Sequence, residues 1–252
     1  MRSLQLVKYD ILSFCKSYLT YIALILIWLV LGLITFLMAR NNDQVNYSSI
    51  LSMANWMFLF FGLLVVIKTI TRDYSQGTIQ LYMNKVKNRI GYIIAKTISI
   101  ILFSFIFAFI TYITLMLVQA FTDGKNLDGD KFLTNIWFYL IFLLFFGLLL
   151  FLVTLIVQKP AVIFTLGIFL VFIVPFIQPF IGLIPDWGEK IQKSLKYIPF
   201  SYLTEKSQTD SIKFSNWQWF ISLASIVILF IANIAYAAKR LSLIHISDGA
   251  RE

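Results

Sequence analysis

Residues 132–158 read FLTNIWFYLIFLLFFGLLLFLVTLIVQ, 27 residues without one Asp, Glu, Lys, Arg or His. As a helix this run rises about 40 Å at ~1.5 Å per residue, more than the ~30 Å hydrocarbon core of a bilayer. Five further runs share the property: 17–39, 44–67, 97–122, 160–185 and 214–238. Together the six cover 151 of the 252 residues. Hydrophobic residues make up 60% of the chain and charged residues 13%, against about 25% charged in soluble domains. A soluble enzyme and a nucleic-acid binder are thereby excluded. The expected fold is all-α: a polytopic membrane protein with six transmembrane helices at about 18–39, 49–67, 97–121, 133–157, 161–184 and 217–238.

The net charge of +9 is distributed by side. With the N-terminus inside, the inner segments 1–16, 68–96, 159 and 239–252 hold 13 Lys and Arg against 4 Asp and Glu. The outer segments 40–43, 123–131 and 186–213 hold 8 and 8. Positive residues stay on the cytoplasmic side, so both termini are expected there. The basic balance reflects topology and does not point to nucleic acid.

Outside the spans, residues 2–16 carry Leu4, Val7, Ile11, Phe14 and Tyr18 at three- and four-residue spacing. This is the pattern of an interfacial helix with one face in the headgroups, or of an amphipathic lead-in to the first span. Cys15 is the only cysteine, which excludes a disulfide framework within one chain. Residues 241–252 stand apart: LSLIHIS (241–247) resembles a translated transposon mosaic end, so the stretch reads as a non-native tail or an ordinary disordered one. The remaining body is then a single transmembrane domain, residues 1–240, and it contains no histidine.

The chain lacks the chemistry of several membrane enzymes. There is no phosphate-binding GxxxxGK[ST] loop and no HExxH, and the spans hold no ionisable Asp, Glu, His, Lys or Arg of the sort proton relays use. No catalytic, cofactor-binding or metal-ligating residue is expected on this chain, and the energy source is expected on another. The polar residues within spans, Asn55, Thr111, Thr114, Gln119, Thr154, Gln178 and Asn233, serve interhelical hydrogen bonds or touch a substrate.

The segment 73–96, DYSQGTIQLYMNKVKNRIGYIIAK, holds the informative motif. It resembles the signature of ABC-2-type transporter permeases: an acid, Gly-Thr four residues on, apolar residues, Pro, then Arg and Lys. Asp73, Gly77-Thr78, Leu81, Arg89 and Lys96 fall on those positions, with Asp73 where Glu is usual and Val86 where Pro is usual. Tyr197 to Leu203 is similar to the Pro-Phe segment that the family carries before its last span. The opening LVKYDILSFCKSYLTYIA (6–23) is similar to the membrane subunits of staphylococcal exporters of phenol-soluble modulins, which are amphipathic cytolytic peptides.

The resemblance implies a permease subunit of an ATP-driven exporter, paired with an identical or sister permease and resting on a cytoplasmic ABC ATPase that holds the ATP and Mg. Its cargo would be amphipathic or hydrophobic peptide. The ATPase-coupling residues would be Asp73, Gly77, Thr78, Ile79, Tyr82, Met83 and Arg89. Their physics fits independently: Gly77 permits a turn, and Thr78 can cap a short helix by accepting from a backbone N–H. Ile79, Tyr82 and Met83 then share one face suited to a partner's groove. The alternatives are a basic loop on anionic headgroups for this segment. For the whole chain they are a membrane immunity or sensor protein, or a secondary carrier or channel not powered by ATP.

Four of the five prolines, Pro175, Pro179, Pro185 and Pro199, fall within 25 residues after the fifth run's midpoint. Each lacks an N–H and clashes with a preceding carbonyl, so the fifth helix should kink near its outer end. Short re-entrant helical pieces are expected after it, then an amphipathic piece from Trp187 to Tyr197. An extracellular gate of Phe176, Pro179, Phe180, Pro199 and Phe200 is expected here, with a plain structural cap as the alternative.

Overall fold

The computed structural model describes residues 3–40, 47–79, 82, 86–121, 129–181, 187–209 and 212–248, and among these it is helical with no strand. In chain order the helices are α1 (Ser3–Cys15), α2 (Tyr18–Arg40), α3 (Tyr47–Ser75), α4 (Val86–Phe121) and α5 (Gly129–Val157). They continue with α6 (Pro160–Ile168), a π-helical segment (Phe169–Ile173), α7 (Val174–Ile181), α8 (Gly188–Leu195), α9 (Pro199–Gln208) and α10 (Asn216–Asp248).

Among the described residues, five helices are long and apolar enough to cross a membrane: α2, α3, α4, α5 and α10. The chain is a multi-pass membrane protein. The run at 160–185 has another form. Pro160–Ile173 is a shorter apolar helix, and α7 follows it without a gap. The π segment comes just before Pro175, where the Val174 N–H reaches Phe169 O, five residues back. Proline at 175 has no N–H to give the carbonyl at 171, and the one-residue widening just before it takes up that break in the ladder.

The core is the packing of α4 with α5, of α5 with α10, and of α3 against both α4 and α5. Its centre is aromatic, with Phe58, Phe103, Phe107, Phe142, Phe146 and Phe151 fully buried. Close approach of the backbones needs small residues. A Cβ on Gly147 would stand 3.1 Å from both Ile100 Cδ1 and Val66 Cγ1. By contrast, α2 buries only the stripe Thr20, Ile27, Leu31 and Thr35, half-buries Ala23, Leu24, Ile34 and Met38 and leaves the rest exposed, as a lipid-facing helix does.

Three expectations need correction. Residues 68–96 are not chiefly a loop, because α3 runs on to Ser75 and α4 begins at Val86. The Val7 and Phe14 face of α1 does not lie among headgroups. It packs lengthwise on α4, with Phe14 edge-on to Phe103 and Phe107 at 5.4 and 5.8 Å. Protein core outcompetes the interface there because Val7, Phe14 and the fully buried Asp10 share that face. Finally, the stretch read as a tail continues α10 through Asp248.

Candidate functional site

The main polar centre lies where α1, α3 and α4 meet. Lys96 is fully buried on α4, and its Nζ donates to Asp10 Oδ1 at 3.0 Å and Oδ2 at 3.2 Å. The same ammonium reaches Asp73 Oδ2 at 2.8 Å and donates to Thr69 O at 3.0 Å. Arg72 Nη2 donates to Asp10 Oδ1 at 2.6 Å, and its Nε stands 3.8 Å from Asp73 Oδ1. Two hydroxyls complete the set: Tyr92 donates to Asp73 Oδ2 at 2.9 Å and Ser99 to Asp10 Oδ2 at 2.8 Å.

Two carboxylates and two cations balance to zero. That balance makes the burial tolerable, since an unpaired charge in such surroundings costs several kcal/mol. A small cavity lined by Asp10, Ser13, Thr20, Lys68, Thr69 and Arg72, among others, has a volume of about 20 Å³, room for one water. Among the described residues no three His, Cys, Asp or Glu stand together to hold a metal.

Local sequence explains each placement. Lys96 and Ser99 are three residues apart and therefore share a face of α4, and Thr69, Arg72 and Asp73 share one on α3. Asp10 lies at i+3 from Val7 and i−4 from Phe14, an acid set inside the apolar stripe of α1.

Of the residues expected to couple to a partner, Asp73 is in this cluster. Gly77 ends α3 in the left-handed region, φ 68°, a conformation open to glycine at little cost. The Thr78 hydroxyl donates back to the Asp73 carbonyl at 3.3 Å rather than accepting from a following N–H. Tyr82 stacks on Tyr92 with ring centroids 5.7 Å apart and 14° between planes. Ile79 and Tyr82 are half-buried against the chain's own core, so part of the face expected for a partner is already used within the chain. Burial, and then the Asp73 charge, hold the Tyr82 hydroxyl above its ordinary value.

Arg89 is buried and bonds to α10, its Nη1 donating to the carbonyls of Ala237 and Ala238 at 3.2 Å each. Met83 and Leu81 lie outside the described residues.

The residues expected to gate are divided. Phe176 and Phe180 on α7 are 61% and 66% exposed. Phe200 turns inward, 6.1 Å from the Phe146 ring, and Pro199 opens the first turn of α9. Helices α7 and α9 touch, but the three phenyl rings do not form one cluster. The Pro179 side chain and Pro185 lie outside the described residues. The amphipathic piece appears as α8, with Lys190 over the Trp187 ring at 5.6 Å.

Sequence reasoning missed Asp10, Arg72, Tyr92 and Ser99. The available signal was Asp10 itself, a lone acid in the apolar stripe of α1.

The family described as Protein of unknown function (DUF2705) matches residues 32–242, and the chain belongs to it. No curated protein matches the chain.

Proposed function

We propose that this member of the DUF2705 family is the transmembrane permease subunit of an ATP-driven ABC exporter. It moves amphipathic or hydrophobic cargo, cytolytic peptides in particular, out of a bacterial cell. The observation that carries the reading is the mechanical continuity between the ABC-2-like signature and the bundle. Asp73 and Lys96 are joined by a 2.8 Å ion pair, and Lys96 in turn holds α1 through Asp10. The turn at Gly77, with Tyr82 stacked on Tyr92, hangs from this knot. Arg89 extends the tie to α10. A push on residues 76–83 by a nucleotide-driven ATPase would move α1, α3, α4 and α10 as one body. Hydrolysis itself, with its ATP and Mg, belongs to the partner chain.

In this reading the chain crosses six times with both termini cytoplasmic. The sixth crossing is the run Pro160–Ile181, 22 residues in three contiguous helical pieces, long enough at ~1.5 Å per residue to span about 33 Å. Helices α8 and α9 are the re-entrant outer pieces. The inward turn of Phe200 onto Phe146 in the middle of α5 supports this for α9. A second permease, identical or sister, completes the pathway, with Phe176 and Phe180 presented outward for it and Pro199 and Phe200 on the adjoining α9; Pro179 belongs to the same proposed gate.

A second reading, a carrier driven by an ion gradient, draws support from the same cluster, because buried carboxylates beside a lysine are the usual parts of a proton relay. Co-purification separates the two. Expressed with the neighbouring open reading frames, the chain should bring down an ATPase. A chain that purifies alone and transports in ATP-free vesicles is a carrier.

A further inference from the structure

Away from the ion cluster, helices of the same bundle carry buried polar atoms without a hydrogen bond. Asn55 on α3 is fully buried, and neither its Nδ2 nor its Oδ1 has a hydrogen bond. Asn135 on α5 is 3% exposed, and its Oδ1 is likewise unpaired. The packing register places them in one layer. A Cβ on Gly62 would stand 3.1 Å from Phe107 Cδ2 and 3.3 Å from Leu143 Cδ1, so these three residues share a level. Two turns further from the ion cluster, ~7 residues along each helix, lie Asn55 on α3, Thr114 on α4 and Ile136 on α5, the last adjacent to Asn135.

Trp56 Nε1, next along α3, is unpaired as well, whereas the two threonine hydroxyls of this layer are already satisfied. Thr114 Oγ1 accepts from Trp28 Nε1 at 2.9 Å, and Thr111 shares a 2.6 Å hydrogen bond with the Tyr139 hydroxyl. They cannot release their bonds to Asn55 without orphaning another group. Helix α9, which packs on α3, adds a further unpaired buried atom, Ser201 Oγ.

Buried polar atoms in folded proteins are almost always paired, and an exception calls for an absent partner. We propose that Asn55, with Asn135 one residue from the same layer on α5, is a hydrogen-bonding site for an uncharged group that both donates and accepts, chemically a peptide unit of the translocated chain. A carboxamide with donor and acceptor both free matches an amide in two bonds. No Asp, Glu, Lys, Arg or His is among the layer residues named, so an ion finds no counter-charge. The tight contacts at Gly62 form the floor of the site, and it is reached from the end remote from the ion cluster once α3 separates from its neighbours there.

This inference rests on the peptide-cargo reading above, and the test separates the two. The probes are a synthetic amphipathic peptide of Leu and Lys and the same peptide with an N-methylated backbone, both titrated onto the full chain in nanodiscs. The wild-type chain should bind the unmethylated peptide at least tenfold more tightly than the methylated one. Asn55→Leu should lose that preference while its melting temperature stays level or rises, because an unpaired amide has left the core. Asn55→Ser covers the case in which leucine does not pack, and it should lose the preference too. Equal preference in wild type and both variants overturns the site and leaves the cargo reading standing. A wild-type chain that binds neither peptide overturns the cargo reading, and this site with it.

Discussion

At the α1 end of the bundle, every carboxylate oxygen of Asp10 and Asp73 has a cation within 4 Å, and Tyr92 and Ser99 add hydroxyls. In the layer beyond Gly62, Asn55 has no partner for either amide atom. The contrast follows from cost. A full charge left unpaired in a core is close to prohibitive, so buried charges come paired. A neutral amide left unpaired costs about 1–3 kcal/mol, a sum a protein can carry in a region that opens. The ionic end is therefore the more tightly tied part of the bundle, and the amide end, where Trp56 next to Asn55 packs edge-on to Phe172 of the widened helix, is the less tied one.

The largest way to break the comparison is to unbalance the ionic end. Lys96→Met leaves two buried carboxylates against one cation and should cost about 3–5 kcal/mol, read as loss of folded protein on size exclusion. Adding Asp10→Asn to that variant should restore part of the yield, since the remaining Asp73 keeps Arg72 near it. Failure of the double variant to recover would mean that Lys96 acts through packing alone.

Next is coupling. Tyr82→Asp with Met83→Asp should detach the ATPase and abolish transport while the chain still inserts. Retained co-purification would remove the Gly77–Met83 turn from the coupling path.

Smaller in stability but large in function is the outer pair. Phe176 and Phe180 face outward, so replacing both with Ala should change melting of the single chain by under about 1 kcal/mol, as exposed substitutions do. Basal ATPase activity and dye leak should rise if they seal against a second permease. Unchanged leak with a lowered melting temperature would make the segment a cap. The smallest effect is expected for Tyr139→Phe, which removes the 2.6 Å bond to Thr111 at roughly 0.6 kcal/mol, the usual worth of a hydrogen bond between membrane helices.

The membrane fold was legible because runs free of charge are a composition signal that needs no tertiary information. Five of the six became long apolar helices. The sixth took its own form for a reason also visible in the sequence, Pro175 inside the run. The ionic site was less legible. A reading that treats charged residues as boundaries places Lys96 at the edge of a loop, yet it is fully buried, because only the fold brings Asp10 from 86 residues away to neutralise it. The orphan state of Asn55 was not legible at all. Its type and place in a span were plain, but whether Thr111 pairs with Asn55 or with Tyr139 is decided by helix register.

The central claim is that ATP drives cargo through this chain. Its most direct test is uptake of a fluorescent Leu/Lys amphipathic peptide into inside-out vesicles containing the chain and its ATPase. The account predicts accumulation with ATP and Mg, none with a non-hydrolysable analogue, and none with Tyr82→Asp/Met83→Asp. Equal accumulation without nucleotide, or accumulation abolished by a protonophore and indifferent to ATP, would contradict it.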